Sequence, residues 1–447
     1  MQWSPSIAKK WSGWSSMTDF SRAKRKLCAG GCVGGLLVLA SLSGQALAEP
    51  VQVGLHLDER FSDNIGRSES HPRSDLEHRL SVSVLHQTDP APCSSFLDGV
   101  FGFRHYQRGT YSDQADLNGS WNGACALSDS GLQWTASDSV SQVAVNTTQA
   151  FTPNNQTRRN VFSTGPRYLW LISPRDQLAT SAQYQRTSYA GQGQSNATHY
   201  LGNSTYTHQM SPTLSVGLGA EIDKGKLDTG EDITRRTGNV QMTKTLTSTR
   251  FSGSVGYSRL EDNFGGFQST NSGMTWQLRV DRQLTERRSV YAEYGRELSD
   301  SSSPYVIQIA GLTFNLSQTS ALQLTHWRAG LNQDLSSGGT INFDISQQNS
   351  EYLSTSETEK SSTATLSLAQ PIVTNLTLHS DISAQHQTSS LTTLSQNLYG
   401  ASLALSYQKT RALAFRAGLG RNINSANSIG TSYRENWMLV GVDYAFR

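Results

Sequence analysis

Long apolar runs are missing from this chain of 447 residues. Beyond residue 48 no stretch approaches the roughly 18 consecutive apolar residues of a membrane-spanning helix, so transmembrane helices are excluded. Apolar residues make up 36% of the chain, lean for a single soluble core of this size. Cysteine is scarce, and only Cys93 and Cys125 follow residue 48. Past that point there is no Cys-x-x-Cys pair, no metal-ligand spacing and no glycine-rich phosphate loop. The histidines are scattered; His199/His208 and His379/His386 are odd numbers apart and, within one strand, face opposite walls. No catalytic constellation stands out, so the expectation is a non-enzyme with no cofactor and no metal. Charge of one sign is missing too. Residues 1–48 hold six of the 37 Lys+Arg and one of the 35 Asp+Glu. Taking these away leaves 31 basic and 34 acidic residues, a net charge of −3, which gives nucleic-acid binding no support.

What is present begins with a basic stretch, Lys9, Lys10, Arg22, Lys24, Arg25 and Lys26. An apolar run from Val33 to Leu42 follows, then Ala46-Leu47-Ala48 before Glu49. The order is that of a secretory signal, with an apolar region too short to span a bilayer and a small-x-small cleavage site. Residues 1–48 are therefore expected to be a signal peptide and 49–447 the mature protein. Cys28 and Cys32 precede the apolar run, so neither stands where a lipidated cysteine would.

From Val51 onward, segments of alternating residues recur. Leu80, Val82 and Val84 share one parity, as do Leu214, Val216, Leu218, Ala220 and Ile222, and Tyr399, Ala401, Leu403, Leu405 and Tyr407. In the last segment Met438, Val440, Val442, Tyr444 and Phe446 form one wall, and Trp437, Leu439, Gly441, Asp443 and Ala445 the other. Successive side chains of a strand face opposite sides, whereas helical spacing persists nowhere over comparable length. Short connections such as Ser173–Asp176, Thr285–Arg287 and Lys409–Arg411 alternate with longer polar stretches such as Asp63–Ser74, Glu261–Thr270, Glu351–Ser361 and Thr388–Gln396. The pattern predicts an all-β protein: one antiparallel transmembrane β-barrel with short periplasmic turns and longer external loops. Segments number about 21, but bacterial barrels are even-stranded, so one division between Pro304 and Ser350 must be wrong; about 18 strands, with 16 to 20 allowed, are expected. The location implied is the outer membrane of a Gram-negative bacterium, with membrane lipid and the barrel-assembly machinery as partners. Tyr and Trp near segment ends suit the headgroup level, as do His78 and His86.

Two short motifs carry resemblances. Gly441-x-x-Tyr444-x-Phe446 looks like the C-terminal signal by which bacterial outer-membrane barrels are recognised for assembly; it departs from that signal at Leu439 and at Arg447, which follows the usual final aromatic. Phe61-x-Asp63-Asn64-Ile65, followed by Ser74-Asp75, resembles the opening of a porin-like family of outer-membrane β-barrel proteins. Many of its members are encoded with exopolysaccharide biosynthesis and export systems. The resemblance implies a pore or channel for polysaccharide export or polar-solute passage, with polysaccharide and export-system proteins as partners. The alternative is a non-conducting scaffold that anchors a surface or periplasmic assembly. Asp63 and Asn64 also suit plain loop shaping, since their side chains bond nearby backbone.

The inferred inner parity holds Arg79, Glu221, Arg279, Asp281, Glu293 and Arg416 among Ser, Gln, Asn and Gly. Mixed charge with hydroxyls and amides suits a hydrated, weakly charged solute, whereas a single-sign ring would mark an ion-selective constriction. Cys93 starts one strand and Cys125 ends the next, so both fall at one edge of a hairpin. Neighbouring strands about 4.8 Å apart make a disulfide between them sterically feasible, the alternative being two unpaired thiols.

Overall fold

The computed structural model describes residues 51–88, 92–146, 149–191, 194–300, 321–353, 355–390, 393–427 and 431–446. The expected signal peptide and Arg447 lie outside them. Twenty strands follow one another: β1 (Gln52–Ser62), β2 (Asp75–Thr88), β3 (Cys93–Tyr106), β4 (Gln114–Ala126), β5 (Leu132–Ala144), β6 (Gln156–Ser173), β7 (Asp176–Tyr189), β8 (Ala197–Ser211), β9 (Leu214–Leu227) and β10 (Asp232–Thr245). The second half comprises β11 (Thr249–Phe264), β12 (Phe267–Thr285), β13 (Arg288–Asp300), β14 (Ala321–Asp334), β15 (Thr340–Tyr352), β16 (Glu357–Val373), β17 (Leu376–Ser389), β18 (Leu394–Gln408), β19 (Leu413–Ala426) and β20 (Tyr433–Phe446). Each pairs antiparallel with its neighbour in sequence. β20 pairs with β1 in register from Val53↔Phe446 to Ser62↔Trp437, which closes the ring. Closure leaves no edge strand for unwanted pairing, and every backbone group at bilayer depth finds a partner in the next strand. The strand number, 20, is at the top of the expected range.

Alternation decides the two walls. Leu57, Leu80, Phe101, Leu218, Val240, Tyr257, Leu403, Leu419, Met438 and Val440 are all exposed on the outside. In water such a belt would be untenable; in lipid it is the solvent-matched surface. The opposite parity carries Asp58, Asp223, Arg235, Glu435 and Ser258, all buried. Tyr444 and Phe446 stand on the outer wall with ring centroids 5.0 Å apart, whereas Gly441 faces inward where a Cβ would collide with the Asp58 carboxylate.

Two features differ from the sequence reading. Strands run further than the apolar pattern does. Glu261–Thr270, expected as an external loop, is the upper part of the β11–β12 hairpin, turned by Gly265 and Gly266 at φ 58° and 88°. Glu351–Ser361 and Thr388–Gln396 are likewise mostly strand. Beyond the bilayer both faces of a hairpin meet water, so period-2 hydrophobicity fades while the ladder continues. The second difference is the odd segment. Asp300 pairs directly with Ala321, so the wall has no place for a strand between β13 and β14; the expected turn Ser317–Ser320 lies outside the described residues.

β13 also leaves the wall. Its ladder with β12 stops at Trp276↔Arg296, although β12 continues to Phe267 against β11. Beyond that point Glu297, Leu298, Ser299 and Asp300 are all buried, so both faces are covered where a wall strand would show one to lipid. Ala321, at the start of β14, packs with Ala197, Leu227, Ile233 and Leu260. Those four belong to the inner faces of β8 to β11. The end of β13 and Ala321 therefore lean inward onto that stretch of wall, while β14 stays paired with β15 from Leu322↔Tyr352 onward.

Cys93 and Cys125 are register partners of β3 and β4, with Cα atoms 4.0 Å apart and the sulfurs bonded. Closing the 32-residue separation stabilises by about 3 kcal/mol in the loop-entropy model, less where the hairpin already holds its own ends. Reduction, or Cys93→Ser with Cys125→Ser, should lower the unfolding free energy by about 1–3 kcal/mol without loss of the barrel. Urea titration in detergent with and without reductant measures this.

Candidate ligand-binding lumen

Ten strands run outward and ten return, and the inner wall is unevenly covered along them. At the external end Ser62, Asp75, Tyr106, Asp116, Thr187 and Tyr352 are buried. The periplasmic half is more open. A cavity of about 750 Å³ there is lined by Gln87, Ser95, Asn122, Ser137, Arg167 and Thr205, among others. A smaller one, about 420 Å³, lies further out between Arg60, Arg67, Arg104, Asp381, Asn422 and Trp437.

The seam between first and last strands carries most of the fixed charge near that outer cavity. Glu435 on β20 is 1% exposed and accepts hydrogen bonds from Arg60 at 2.6 Å, Arg67 at 3.0 Å, Ser62 at 2.9 Å and Asn422 at 3.2 Å. Lower on the seam Arg416 donates to Asp443 at 2.6 Å and to Asp58 at 3.0 Å, and His56 lies 2.5 Å from Asp443. Arg60 stacks over Trp437, 5.5 Å to the ring centroid. Each guanidinium is thus held in place by one or more carboxylates.

The opening motif belongs to this seam. Asp63 accepts from the backbone and the side chain of Asn436, at 2.8 and 2.6 Å. Asn64 is buried and donates to the carbonyls of Ser68 at 2.7 Å and Arg434 at 2.9 Å. These bonds fold the first external loop and clasp β1 to β20. Arg67, at φ 49°, is thereby aimed at Glu435. Ile65 is buried, whereas Phe61 faces out. Asp75 accepts the backbone N–H groups of Arg108, at 2.8 Å, and Thr110, at 3.2 Å, which shapes the second external loop; Ser74 bonds Arg108. In that loop Tyr111 packs edge-on against Tyr106 at 5.3 Å, and burial pushes its phenol pKa up.

Arg79, Glu221, Arg279, Asp281, Glu293 and Arg416 all stand on the inner wall but do not converge. Arg279 bonds Asp281 at 2.7 Å and Glu293 at 3.0 Å on β12 and β13. Glu221 takes Arg235 at 2.5 Å on β9 and β10. Arg416 belongs to the seam. A group that the sequence did not single out lies where β13 meets the wall. His199 on β8 is fully buried, its Nδ1 2.8 Å from Asp223 on β9 and its Nε2 4.0 Å from Asp300. Arg235 is 3.7 Å from Asp223. Its members are up to 101 positions apart in sequence, and only β13's departure from the wall brings Asp300 to the other two.

No family model matches this chain, and no curated protein matches it in sequence. Solved structures do match in fold. A mutant of the ferric enterobactin receptor PfeA from Pseudomonas aeruginosa, in complex with enterobactin, aligns with TM-score 0.50 and 10% identity over 90% of this chain and 82% of that one. The FrpB iron transporter from Neisseria meningitidis (F3-3 variant) aligns with TM-score 0.48 and 10% identity, over 91% and 82% of the two chains. The ferric-catecholate import receptor Fiu from E. coli K12 aligns with TM-score 0.45 and 9% identity, over 88% and 81%. The chain is a Gram-negative outer-membrane β-barrel. Its expected role in polysaccharide export or polar-solute passage is corrected here. The PfeA barrel, whose fold it shares, is named as a ferric enterobactin receptor and not as an export pore. The association with exopolysaccharide systems and the porin-like character have no support in the comparisons.

Proposed function

We propose that this barrel takes up a small ligand from the external side through a lumen that is closed at rest. One observation carries the reading: Glu297–Asp300 and the start of β14 are buried, and Ala321 packs on the inner faces of β8 to β11, inside the ring. Barrels of 16 to 18 strands leave an aqueous channel and 22-stranded transporters hold a filled lumen; the 20 strands among the described residues fall between the two, and the inward end of β13 favours the second. The outer cavity beside Trp437 and Arg60 offers an indole face and donor groups toward the external end, and the larger hydroxyl- and amide-lined cavity lies toward the periplasmic end.

The test is conductance of the purified barrel in planar bilayers. Wild type should stay closed, and Leu322→Glu with Leu324→Glu, which puts charge into the buried face of the inward segment, should give steady conductance. A wild-type barrel that conducts steadily at low voltage would overturn the closed lumen. For uptake itself, ferric enterobactin is the first ligand to try, because the PfeA structure names enterobactin as its ligand. Cells carrying the chain should accumulate more labelled iron than cells lacking it; equal accumulation would remove ferric catecholates from consideration.

A further inference from the structure

The junction between the inward end of β13 and the wall brings together an imidazole and two carboxylates. His199, Asp223 and Asp300 are 0%, 3% and 4% exposed. One donor atom from each lies within 4.8 Å of those of the other two. Two belong to neighbouring wall strands, β8 and β9, and the third to the inward end of β13.

We propose that these three residues bind one divalent transition-metal ion, and that the ion ties the inward end of β13 to the wall. The donor chemistry selects the ion class. One nitrogen with carboxylate oxygens suits Zn²⁺, Fe²⁺ or Co²⁺, whereas Ca²⁺ and Mg²⁺ prefer all-oxygen shells. Metal–nitrogen and metal–oxygen bonds are roughly 2.0–2.2 Å, which places neighbouring donors about 3–3.5 Å apart. Only one imidazole nitrogen can ligate a given ion, and with one donor atom taken from each residue the three stand within 4.8 Å of one another, so the set must draw in by about 1–2 Å around the ion. Local charge favours a cation as well. Asp223, Asp300 and Glu221 gather around the one guanidinium of Arg235, which itself bonds Glu221 at 2.5 Å. Three protein donors leave coordination positions for water or for a donor brought by a ligand. The competing account is an imidazolium ion-paired with both aspartates and no metal.

The test uses the full barrel, purified in detergent without a histidine tag and stripped with chelator. Co²⁺ should bind with one equivalent, give visible d–d absorption, and be displaced by Zn²⁺. His199→Gln and Asp300→Asn should each weaken binding by at least about tenfold. His208→Gln, on the outer wall of the same strand, should leave it unchanged. Heat-modifiable migration on gels shows that each variant is still a folded barrel. Zn²⁺ should raise the melting temperature of wild type but not that of Asp300→Asn, which reads the tie between segment and wall. Absence of stoichiometric Co²⁺ binding to wild type, or equal binding in wild type and His199→Gln, would overturn the site. The site does not rest on the uptake reading: metal binding and conductance are separate measurements, and either can fail alone.

Discussion

Glu435→Ala is expected to destabilise the folded barrel by about 3–5 kcal/mol, the effect of removing one partner from a buried charge set. The carboxylate is 1% exposed and holds Arg60, Arg67, Ser62 and Asn422 at once. Without it two guanidiniums share one place with only Glu77, 3.8 Å from Arg60, to offset them. The damage falls on the seam between β1 and β20, whose pairing closes the ring, and on the first loop, where Arg67 loses its anchor. Unfolding in urea, followed by heat-modifiable migration, measures the loss. Arg67→Met added to Glu435→Ala should recover part of it, because one unpaired cation is removed with the anion. A single variant within about 1 kcal/mol of wild type would mean that the set contributes nothing net, as happens for solvent-screened pairs.

The seam shows what a sequence can and cannot reveal. Asp63 and Asn64 were legible as turn residues, because short amide and carboxylate side chains bond local backbone. Their partners Asn436 and Arg434 were not, since nothing local ties residue 63 to residue 436; only closure does. The walls were legible throughout, because a strand's period of two sorts lipid-facing Leu403 from inward Ser402 without any knowledge of neighbours. The inward turn of β13 was invisible for the same reason. Leu298 continues the outer parity of Tyr294 and Arg296, and alternation says that two faces differ without saying what covers each. The misreading of function began there. Inner-wall composition describes a lining and says nothing of the strand ends that lean onto it, because the buried contacts of Ala321 with Ala197, Leu227, Ile233 and Leu260 are all long-range. His199, Asp223 and Asp300 were missed likewise, because metal-ligand spacing is a local signal and these donors come from three strands.

Leu403→Arg should cost about 2–4 kcal/mol, and Ser402→Arg much less. The two positions are adjacent in β18 and differ only in the wall that they face. Leu403 lies mid-strand on the outer wall, 43% exposed in the absence of lipid and opposite Leu419 in the ladder to β19. An arginine there must snorkel several residues to reach headgroups, or draw water into the hydrocarbon, and both are costly at the midplane. Ser402 points into the lumen beside the outer cavity, with Asp381 its register partner on β17. An arginine at that point meets water and a carboxylate. Folding free energies of the two variants into lipid vesicles give the difference directly. Equal costs at 402 and 403 would mean that the walls are assigned the wrong way round. A larger cost at 402 would mean that the lumen there is as dry as the bilayer. The difference should shrink toward the strand ends, so that Tyr407→Arg, near the periplasmic end of β18, should cost about 0–1 kcal/mol from charge alone.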